Sequence, residues 1–228
     1  MSKLKGENLT KIYDKEIVAL KDVNIEVEEK EIVVILGPSG SGKTTLLNLL
    51  TIIDKPTSGK VYLDNNEITN LCEKESAKIR NKNFGFIFQF FYLLPELTVL
   101  ENVYLPLWIK EKSPFKINIY KEKAENLLKE FQLEKKKNFY PFQLSGGELQ
   151  RIAICRSLIC EPQIIFGDEP TGSIDKDSAK IFFNMIKYLN EKKNITFVIA
   201  THNEKFLQFA TKVIYLNEGK VEKVVSHQ

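Results

Sequence analysis

A glycine-rich segment near the N-terminus has the residue types and spacing of a phosphate-binding loop. Residues 37–45 read GPSGSGKTT and satisfy the pattern G-x-x-x-x-G-K-[ST]. The three glycines let backbone N–H groups turn toward phosphate oxygens, and a helix that follows adds partial positive charge. Lys43 is then placed to reach the β- and γ-phosphates, and the Thr44 hydroxyl is placed to ligate Mg²⁺. The predicted nucleotide-binding residues of this loop are Gly37, Pro38, Ser39, Gly40, Ser41, Gly42, Lys43, Thr44 and Thr45.

Two adjacent acids follow an apolar run later in the chain, in the sequence IIFGDEP. A buried strand that ends in Asp168 would bring this carboxylate near the phosphate loop, where it can hold Mg²⁺ directly or through water. Neighbouring side chains at a strand end point to opposite sides, so Glu169 is free for a different task, the polarisation of a water as general base. The alternative is a pair of surface acids, but the four apolar or small residues before them argue against a free loop.

The segment LSGGE, residues 144–148, is the third candidate. Ser145 can cap a helix N-terminus, and Glu148 lies three residues further on, which makes a capping box. Two glycines in the first turn of a helix lower its stability by about 1 kcal/mol each relative to alanine. A capped helix alone leaves these glycines unexplained, so we expect another group to come close to this backbone.

Apolar periodicity predicts the elements that position these residues. Val23, Ile25 and Val27 alternate with polar residues, as in a half-buried antiparallel strand. The continuous apolar run 31–37 predicts a strand covered on both faces, and a helix follows the glycine loop. A strand and an Asp-Asn-Asn turn are predicted within 59–68, buried strands within 163–170 and 194–202, and a terminal hairpin within 212–225.

The region from about 90 to 160 is predicted to be helical, with interruptions at Pro95 and Pro106. One of its helices has an apolar face formed by Ala124, Leu127, Leu128 and Phe131. A later helix, within 175–193, has an apolar face formed by Ala179, Phe182, Phe183, Ile186 and Leu189. Strands that alternate with helices indicate a parallel-sheet α/β core, on which the 90–160 region forms a lobe.

Composition limits the classes of protein that this chain can belong to. It has 228 residues, 43% hydrophobic and 28% charged, as in a folded globular protein. The formal net charge of +3 is too weak to predict nucleic-acid binding. No apolar run approaches the roughly 18–20 residues that span a bilayer, and the N-terminus has no apolar signal region, so we expect a cytoplasmic protein, or one held at a membrane only through partners. The odd number of cysteines and the lack of C-x-x-C argue against disulfides and against a zinc site. Cys155 and Cys160 fall in apolar sequence, so we expect them in the core.

The chain resembles the ATP-binding cassette (ABC) ATPases over essentially its whole length. The resemblance rests on the phosphate loop, the Asp-Glu pair after an apolar strand, and LSGGE followed by Gln150 and Arg151, which is the signature of that family. It implies one domain, residues 1–228, that binds ATP and Mg²⁺ and hydrolyses ATP. The implied fold is α/β: a RecA-like P-loop NTPase core with an antiparallel β subdomain, at about 1–89 and 161–228, and a helical subdomain at about 90–160.

The resemblance also explains the glycines of LSGGE. In this family two chains pack head to tail, and each ATP lies between the phosphate loop of one chain and the signature of the other. A homodimer that forms on ATP binding is therefore implied, with integral membrane permease subunits as further partners. The residues implied to contact the second chain's γ-phosphate are Ser145, Gly146 and Gly147, and Glu148 belongs to the same signature facing the second subunit.

Four further positions match functional residues of the family. Tyr13 matches the aromatic residue that stacks on adenine, although a tyrosine taken alone is more often a packing residue. Gln89 matches a glutamine that senses Mg²⁺ and the attacking water. Asp175 matches an aspartate of the D-loop that communicates across the dimer, and His202 matches a histidine that contacts the γ-phosphate and helps to orient the water. The implied catalytic residues are Glu169, His202, Gln89 and Lys43, and the implied metal ligands are Thr44, Gln89 and Asp168.

Small departures from the family pattern remove no catalytic group. The segment 172–175 reads GSID where many members have an SALD-like form, Gly167 is smaller than usual, and Leu149 stands at a position that is often polar. Finer similarity, in stretches such as DKPTSGKVYLDNNEI and DEPTGSID, is to the branch that serves lipoprotein release. Macrolide exporters and a cell-division ATPase share these stretches and are the alternatives. Because the chain ends soon after the hairpin, we expect a stand-alone subunit at the cytoplasmic face of the inner membrane.

Three aromatic residues after Gln89 have two equally weighted interpretations. Phe90, Phe91 and Tyr92 form either a docking surface for a membrane subunit or ordinary core packing. Two other functions are also weighed. A DNA-handling ATPase would need a long coiled coil or a basic stripe, which the sequence lacks. A P-loop kinase would need no signature segment and no dimer.

Overall fold

The computed structural model describes residues 2–226, and His227, to which the sequence assigns no role, lies outside them. The strands are β1 (Ser2–Tyr13), β2 (Ile17–Glu28), β3 (Ile32–Leu36), β4 (Ser58–Leu63), β5 (Asn66–Glu67), β6 (Phe84–Phe88), β7 (Ile164–Asp168), β8 (Thr196–Thr201), β9 (Lys212–Asn217) and β10 (Lys220–Ser226). The helices are α1 (Lys43–Leu50), α2 (Glu73–Asn83), α3 (Val99–Glu111), α4 (Ile117–Glu130), α5 (Gly146–Leu158) and α6 (Lys176–Lys193). None of the helices in residues 2–226 is both long enough and apolar enough to cross a bilayer.

A six-stranded sheet in the order β10-β9-β3-β8-β7-β6 forms the centre of the molecule. Its strands are parallel except for β10, which pairs antiparallel with β9 at one edge. All five residues of β3 are buried because apolar side chains cover both faces of the sheet. Helices α3 to α6 cover one face, while α1 and a second sheet cover the other. The predicted parallel α/β core is confirmed.

The second sheet is antiparallel, in the order β2-β1-β4-β5. Val23, Ile25 and Val27 are buried and alternate with exposed residues, which confirms the predicted half-buried strand. Asp64 and Asn65 turn the chain between β4 and β5, both with left-handed φ, of 49° and 63°. Asp and Asn tolerate this conformation better than most residues do, so the Asp-Asn-Asn turn is where the sequence predicts it.

The predicted helical region begins later than its aromatic composition suggests. Residues 89–98 are irregular, and α3 starts at Val99, where Thr98 and Glu101 form a capping box. Pro106 lies inside α3 and does not interrupt it, so this part of the prediction is wrong. The proline removes one helical N–H donor, but α3 is kept in place by the burial of Val99, Val103 and Leu107 against the core, at about 1.5–3 kcal/mol per such side chain.

Helix α2 is the element that apolar periodicity misses. In its sequence, EKESAKIRNKN, only Ser76 is fully buried, so no apolar face marks it. By contrast, the predicted apolar face of α6 is buried at every position, and both Cys155 and Cys160 lie in the core as expected. We propose that α3, α4 and α5 form the helical subdomain, at about 90–160, and that about 1–89 and 161–228 form the core.

Candidate active site

The carboxyl ends of four parallel neighbours, β3, β8, β7 and β6, meet at one edge of the central sheet. Each strand delivers a predicted functional residue to that edge. Gly37 follows β3, His202 follows β8, Asp168 ends β7 with Glu169 next, and Gln89 follows β6. Crevices at this edge are the usual ligand-binding positions of parallel α/β sheets. Sequence positions more than 160 residues apart are therefore brought together by strand order.

The phosphate loop leads directly into α1, and Gly42 is the N-cap of this helix. Its φ is +101°, and a Cβ at this position would lie 2.6 Å from the Ala19 carbonyl oxygen. Both facts require glycine. Because no side chain caps the helix, the first N–H groups of α1 are available to an anion. A cleft of about 370 Å³ opens beside them, lined by Gly40, Gly42, Lys43, Thr44 and Thr45 on one side and by residues 17–19 and 218–219 on the other.

Two buried groups in the loop match the chemistry of a phosphate. The Ser41 hydroxyl is buried and has no hydrogen-bond partner within residues 2–226. The Lys43 ammonium, also buried, donates to the carbonyl oxygens of Gly37 (2.8 Å) and Pro38 (2.9 Å). An orphaned buried donor and a cation beside a helix N-terminus are the groups that an anion satisfies.

Thr44 and Asp168, predicted from separate motifs, are in contact. The Thr44 hydroxyl donates to Asp168 Oδ2 at 2.9 Å. Burial raises the pKa of Asp168, the nearby Glu169 carboxylate raises it further, and the Thr44 hydrogen bond opposes both. A hydroxyl and a carboxylate are the hard oxygen donors that Mg²⁺ prefers. The Gln89 side chain lies instead against Gly172, where a Cβ would come 2.9 Å from its Nε2.

Glu169 is separated from Asp168 by backbone conformation and not by strand pleating, which corrects the sequence argument. Strand β7 ends at Asp168, and Glu169 has a left-handed φ of 45°. Its N–H donates to the Ala200 carbonyl at 2.9 Å, which ties this turn to β8. Non-glycine residues in this region cost about 1–3 kcal/mol each and concentrate at functional sites.

The Glu169 carboxylate is oriented by three groups. Thr201 Oγ1 donates to Oε2 at 2.9 Å, the His202 N–H donates to Oε1 at 3.1 Å, and His202 Nδ1 lies 2.9 Å from Oε1. Lys43 Nζ is 3.8 Å from the same oxygen. The His202 side chain is 64% exposed, whereas that of Glu169 is 20% exposed. A fixed carboxylate beside a cation and an accessible imidazole can accept a proton from water in a phosphoryl-transfer reaction.

The LSGGE segment forms the predicted capped helix start. The Glu148 carboxylate accepts from the Ser145 N–H at 2.9 Å, and Ser145 Oγ accepts from the Glu148 N–H at 3.4 Å. The bond from the Ser145 N–H holds the pKa of Glu148 below its ordinary value. Ser145 is exposed, so its hydroxyl stands at a helix N-terminus that faces solvent.

A need for glycine at position 147 also arises inside this chain, a reason that the sequence argument did not foresee. A Cβ on Gly147 would lie 2.3 Å from Ser178 Oγ and 3.0 Å from Ser178 Cβ. A Cβ on Gly146 would find only ordinary contacts, 3.5 Å to the Ser173 carbonyl and 3.8 Å to an Ile174 methyl. Within residues 2–226, no close contact explains a glycine at position 146.

Asp175 caps α6. Its carboxylate accepts from the N–H groups of Asp177 and Ser178, each at 2.9 Å, and from the Ser178 hydroxyl at 2.7 Å. Sequence reasoning missed Ser178, which links this cap to Gly147. The only available signal was a serine three residues after a capping aspartate.

Tyr13 lies beside the start of α1, at the end of β1. Its hydroxyl donates to Asp54 Oδ2 at 3.0 Å, and Lys11 Nζ lies 4.9 Å from the centre of its ring. Burial raises the pKa of Tyr13, the bond to Asp54 raises it further, and the Thr45 side chain, close to the phenol, lowers it. Sequence reasoning also assigned no role to Asp54, although this residue opens the stretch DKPTSGKVYLDNNEI.

Comparison with known proteins agrees with this geometry. The sequence profile of the ABC transporter family matches residues 20–172. The lipoprotein-releasing system ATP-binding protein LolD of Wigglesworthia glossinidia brevipalpis is 43% identical over 223 residues, which cover 96% of this chain and 96% of that protein. MJ0796 of Methanocaldococcus jannaschii, an uncharacterised ABC transporter ATP-binding protein, is 44% identical over 224 residues, which cover 96% of this chain and 95% of that protein.

Solved structures give the same answer for the fold. A dimeric structure of MJ0796, 42% identical, superimposes with a TM-score of 0.91 and covers 99% of both chains. A second dimeric structure of that cassette, in a post-hydrolysis state bound to ADP and Pi, superimposes with a TM-score of 0.90 over the same coverage. The chain therefore belongs to the ABC transporter family, and it is an ATPase with the P-loop fold that the sequence predicts.

Proposed function

We propose that this ATPase is the energising subunit of a membrane complex that releases lipoproteins from the inner membrane. The support for the substrate is the similarity to proteins named LolD, which in Francisella tularensis strains reaches 42% identity over 98% of this chain. In this proposal the chain lies at the cytoplasmic face, held by integral permease subunits, and binds no nucleic acid. Macrolide export and cell division are the alternatives within the same family.

The observation that carries the hydrolytic role is the Glu169 carboxylate, fixed by Thr201 and His202 and adjacent to Lys43. In this proposal Glu169 accepts a proton from water as the water oxygen bonds to the γ-phosphorus and the bond to the ADP oxygen breaks. Lys43 leaves its two loop carbonyls to neutralise β- and γ-phosphate charge. His202, exposed and hydrogen-bonded to the base, contacts the γ-phosphate and orients the water.

The proposed Mg²⁺ ligands from the protein are Thr44 and Asp168. Gln89, which the family resemblance also implies as a ligand, lies against Gly172 in this structure and would have to turn toward the metal. The described residues contain no group of three or more His, Cys, Asp or Glu side chains that could hold a metal by themselves. A site with few protein ligands suits Mg²⁺, which takes its other oxygens from phosphates and water. When bound, Mg²⁺ neutralises charge on the transferred phosphoryl group.

The proposed active assembly is a head-to-tail homodimer that closes on ATP. Ser145 and Gly146 lie at a helix N-terminus that faces solvent and has no Cβ at position 146, which suits the γ-phosphate held by a second copy. Gly147 and Glu148 support this N-terminus from within the chain, and Asp175 orders the adjacent D-loop. The dimeric structures of the related cassette support this arrangement.

A cleft beside β6 is the proposed docking site for a cytoplasmic helix of the permease. It has a volume of about 440 Å³ and lies between α2, α3 and α5, with Phe86, Phe88, Tyr92 and Pro106 among its lining residues. Phe90 and Tyr92 are 67% and 63% exposed, which supports the docking interpretation for these two, whereas Phe91 is half-buried. Exposed aromatic residues at an apolar cleft are typical of interfaces.

The first experiment replaces Glu169 by glutamine. We expect Glu169→Gln to bind ATP with unchanged affinity, to lose hydrolysis by about 10²–10⁴-fold, and to accumulate dimers in size-exclusion chromatography with ATP. The control is Glu204→Gln, an exposed acid two residues after His202 with the same charge change. If the Glu169→Gln variant released phosphate at the wild-type rate, the role of Glu169 as general base would be refuted.

The second experiment tests the substrate. The chain is purified with its membrane subunits, in proteoliposomes, and ATP hydrolysis is measured with added lipoprotein or with a macrolide. Stimulation by lipoprotein and its release from the vesicle support the proposal. Stimulation by the macrolide alone would favour the export alternative.

A further inference from the structure

Three side chains form a compact cluster behind the site proposed for the base of the nucleotide. The Asp54 carboxylate accepts from the Tyr13 hydroxyl at 3.0 Å through Oδ2 and from the Lys11 ammonium at 2.7 Å through Oδ1. The same ammonium lies 4.9 Å from the centre of the Tyr13 ring. The tyrosine is thus held at its hydroxyl and over one face of its ring.

The cluster is attached to the helix that starts at the phosphate loop. Asp54 comes four residues after the end of α1, and its N–H donates to the Asn48 carbonyl of that helix at 3.1 Å. The segment after Asp54 is fixed to β1, where the Thr57 N–H donates to the Thr10 carbonyl at 2.8 Å. One eight-residue helix, about 12 Å long, therefore carries phosphate-binding groups at its start. Its end leads to Asp54, which holds the Tyr13 hydroxyl.

The charges of the cluster favour a fixed ring. Burial raises the pKa of Asp54, but hydrogen bonds from Lys11 and Tyr13 outweigh this and bring it below the ordinary value, so the carboxylate is ionised at neutral pH. A lysine over an aromatic face is attracted by the electrons of the ring. With Lys11 over one face and the ring half-buried, the orientation of the other face is set before any ligand binds.

We propose that Asp54 is a positioning residue that holds the Tyr13 ring, together with Lys11, in the orientation that stacks on the base of the nucleotide. This rests on the proposed function, in which Tyr13 stacks on adenine. A preoriented Tyr13 ring loses less conformational freedom when the nucleotide binds. Asp54 therefore strengthens binding of the adenine base without contacting it.

The test compares two ligands that differ in the base, ADP and inorganic pyrophosphate, by isothermal titration calorimetry with Mg²⁺. We expect Asp54→Ala and Tyr13→Phe each to weaken ADP binding by about three- to tenfold, the effect of one hydrogen bond. Pyrophosphate binding stays unchanged, because it contacts only the loop and α1. The double variant is no weaker than Asp54→Ala alone, because Asp54→Ala already removes the bond that Tyr13→Phe removes. In steady-state hydrolysis the loss lies in KM rather than in kcat.

A matched control is Asp64→Asn, which breaks the 2.8 Å ion pair of Lys3 and Asp64 away from the site and is expected to leave ADP binding unchanged. If Asp54→Ala does not fold, Asp54→Asn keeps the shape, loses the charge and shows a smaller effect of the same sign.

Tyr13→Ala distinguishes stacking by the Tyr13 ring from positioning of that ring by Asp54. If it weakens ADP binding and the Asp54 variants do not, the role of Asp54 is refuted and stacking stands. If it leaves ADP binding unchanged, stacking itself is refuted. Equal loss of ADP and pyrophosphate binding in Asp54→Ala would also overturn the proposal.

Discussion

Replacing Gly147 by alanine separates the internal from the intermolecular reason for a glycine in the signature. The added methyl would lie 2.3 Å from Ser178 Oγ and 3.0 Å from Ser178 Cβ, against a carbon–carbon contact of about 3.5–4.0 Å. Rotating Ser178 gives no escape, because its hydroxyl is held by Asp175 at 2.7 Å and its Cβ stays in place. The helix start or the Asp175 cap must therefore move by about 1 Å.

The magnitude follows from this displacement. Overpacking of this kind costs about 1–3 kcal/mol, and a domain of this size loses about 2–4 °C in Tm per kcal/mol. We expect Gly147→Ala to unfold several degrees below the wild type without nucleotide. Because a misplacement of about 1 Å in a reacting site can cost roughly 10²-fold in rate, we expect a comparable loss of ATP hydrolysis.

The assay is thermal unfolding by circular dichroism, together with steady-state phosphate release. A graded rescue is expected when each double variant is compared with its own Ser178 single variant, which carries the cost of the lost Ser178 side chain. The added cost of Gly147→Ala should be smaller with Ser178→Ala, which removes the closest contact, and smaller still with Ser178→Gly, which removes both. The control is Gly146→Ala, where a methyl meets no clash. Its Tm should be equal or slightly higher, since alanine is the better helix former, while hydrolysis falls if a second chain's phosphate needs that space. A Gly147→Ala protein as stable as the wild type, or no rescue by Ser178→Gly, would show that the reasoning is wrong.

Two further predictions concern other buried groups. Because burial raises the pKa of Asp168 above 3.8, its carboxylate lowers the free energy of unfolding at neutral pH, and this penalty vanishes as pH falls below the unfolded value. Asp168→Asn should therefore have an equal or higher Tm than wild type without ligand at neutral pH, a difference that closes toward pH 4, and no stabilisation by Mg²⁺-ATP. A lower Tm for ligand-free Asp168→Asn would contradict this. Arg156, whose pKa burial lowers to about 10, donates to the carbonyls of Phe91 and Tyr92, both with left-handed φ. Arg156→Lys cannot bridge both carbonyls and should lose about 1–3 kcal/mol, with faster hydrogen exchange at 89–93, whereas Arg151→Lys on the same helix should change neither.

Local sequence signals predicted the elements that bury a regular apolar face. The unbroken apolar run of β3 and the helical spacing in α6 both describe their observed burial. Helix α2 escaped notice because its residues are almost all polar and it packs with one buried serine. Pro106 was misjudged because the cost of a proline in a helix is local, while the contacts that offset it come from distant parts of the core.

The sequence by itself determined the chemistry of the site. The phosphate loop, the Asp-Glu pair and the signature each specify their residues through short-range spacing, because a turn or a helix start depends on neighbours in the chain. Their spacing also places the Asp168 carboxylate and the Glu169 general base at the end of a strand, and the Thr44 hydroxyl at the start of the helix after the phosphate loop.

Only the tertiary structure decided which of these residues meet and what holds them. The contact of Thr44 with Asp168 spans 124 residues, the left-handed turn at Glu169 separates two adjacent acids, and Ser178 gives a reason within the chain for glycine at position 147. Sequence reasoning assigned no role to Asp54 or Ser178, because their contacts come from packing between elements. Such contacts depend on strand order and helix placement, which are set by burial over the whole chain and cannot be read from any one segment.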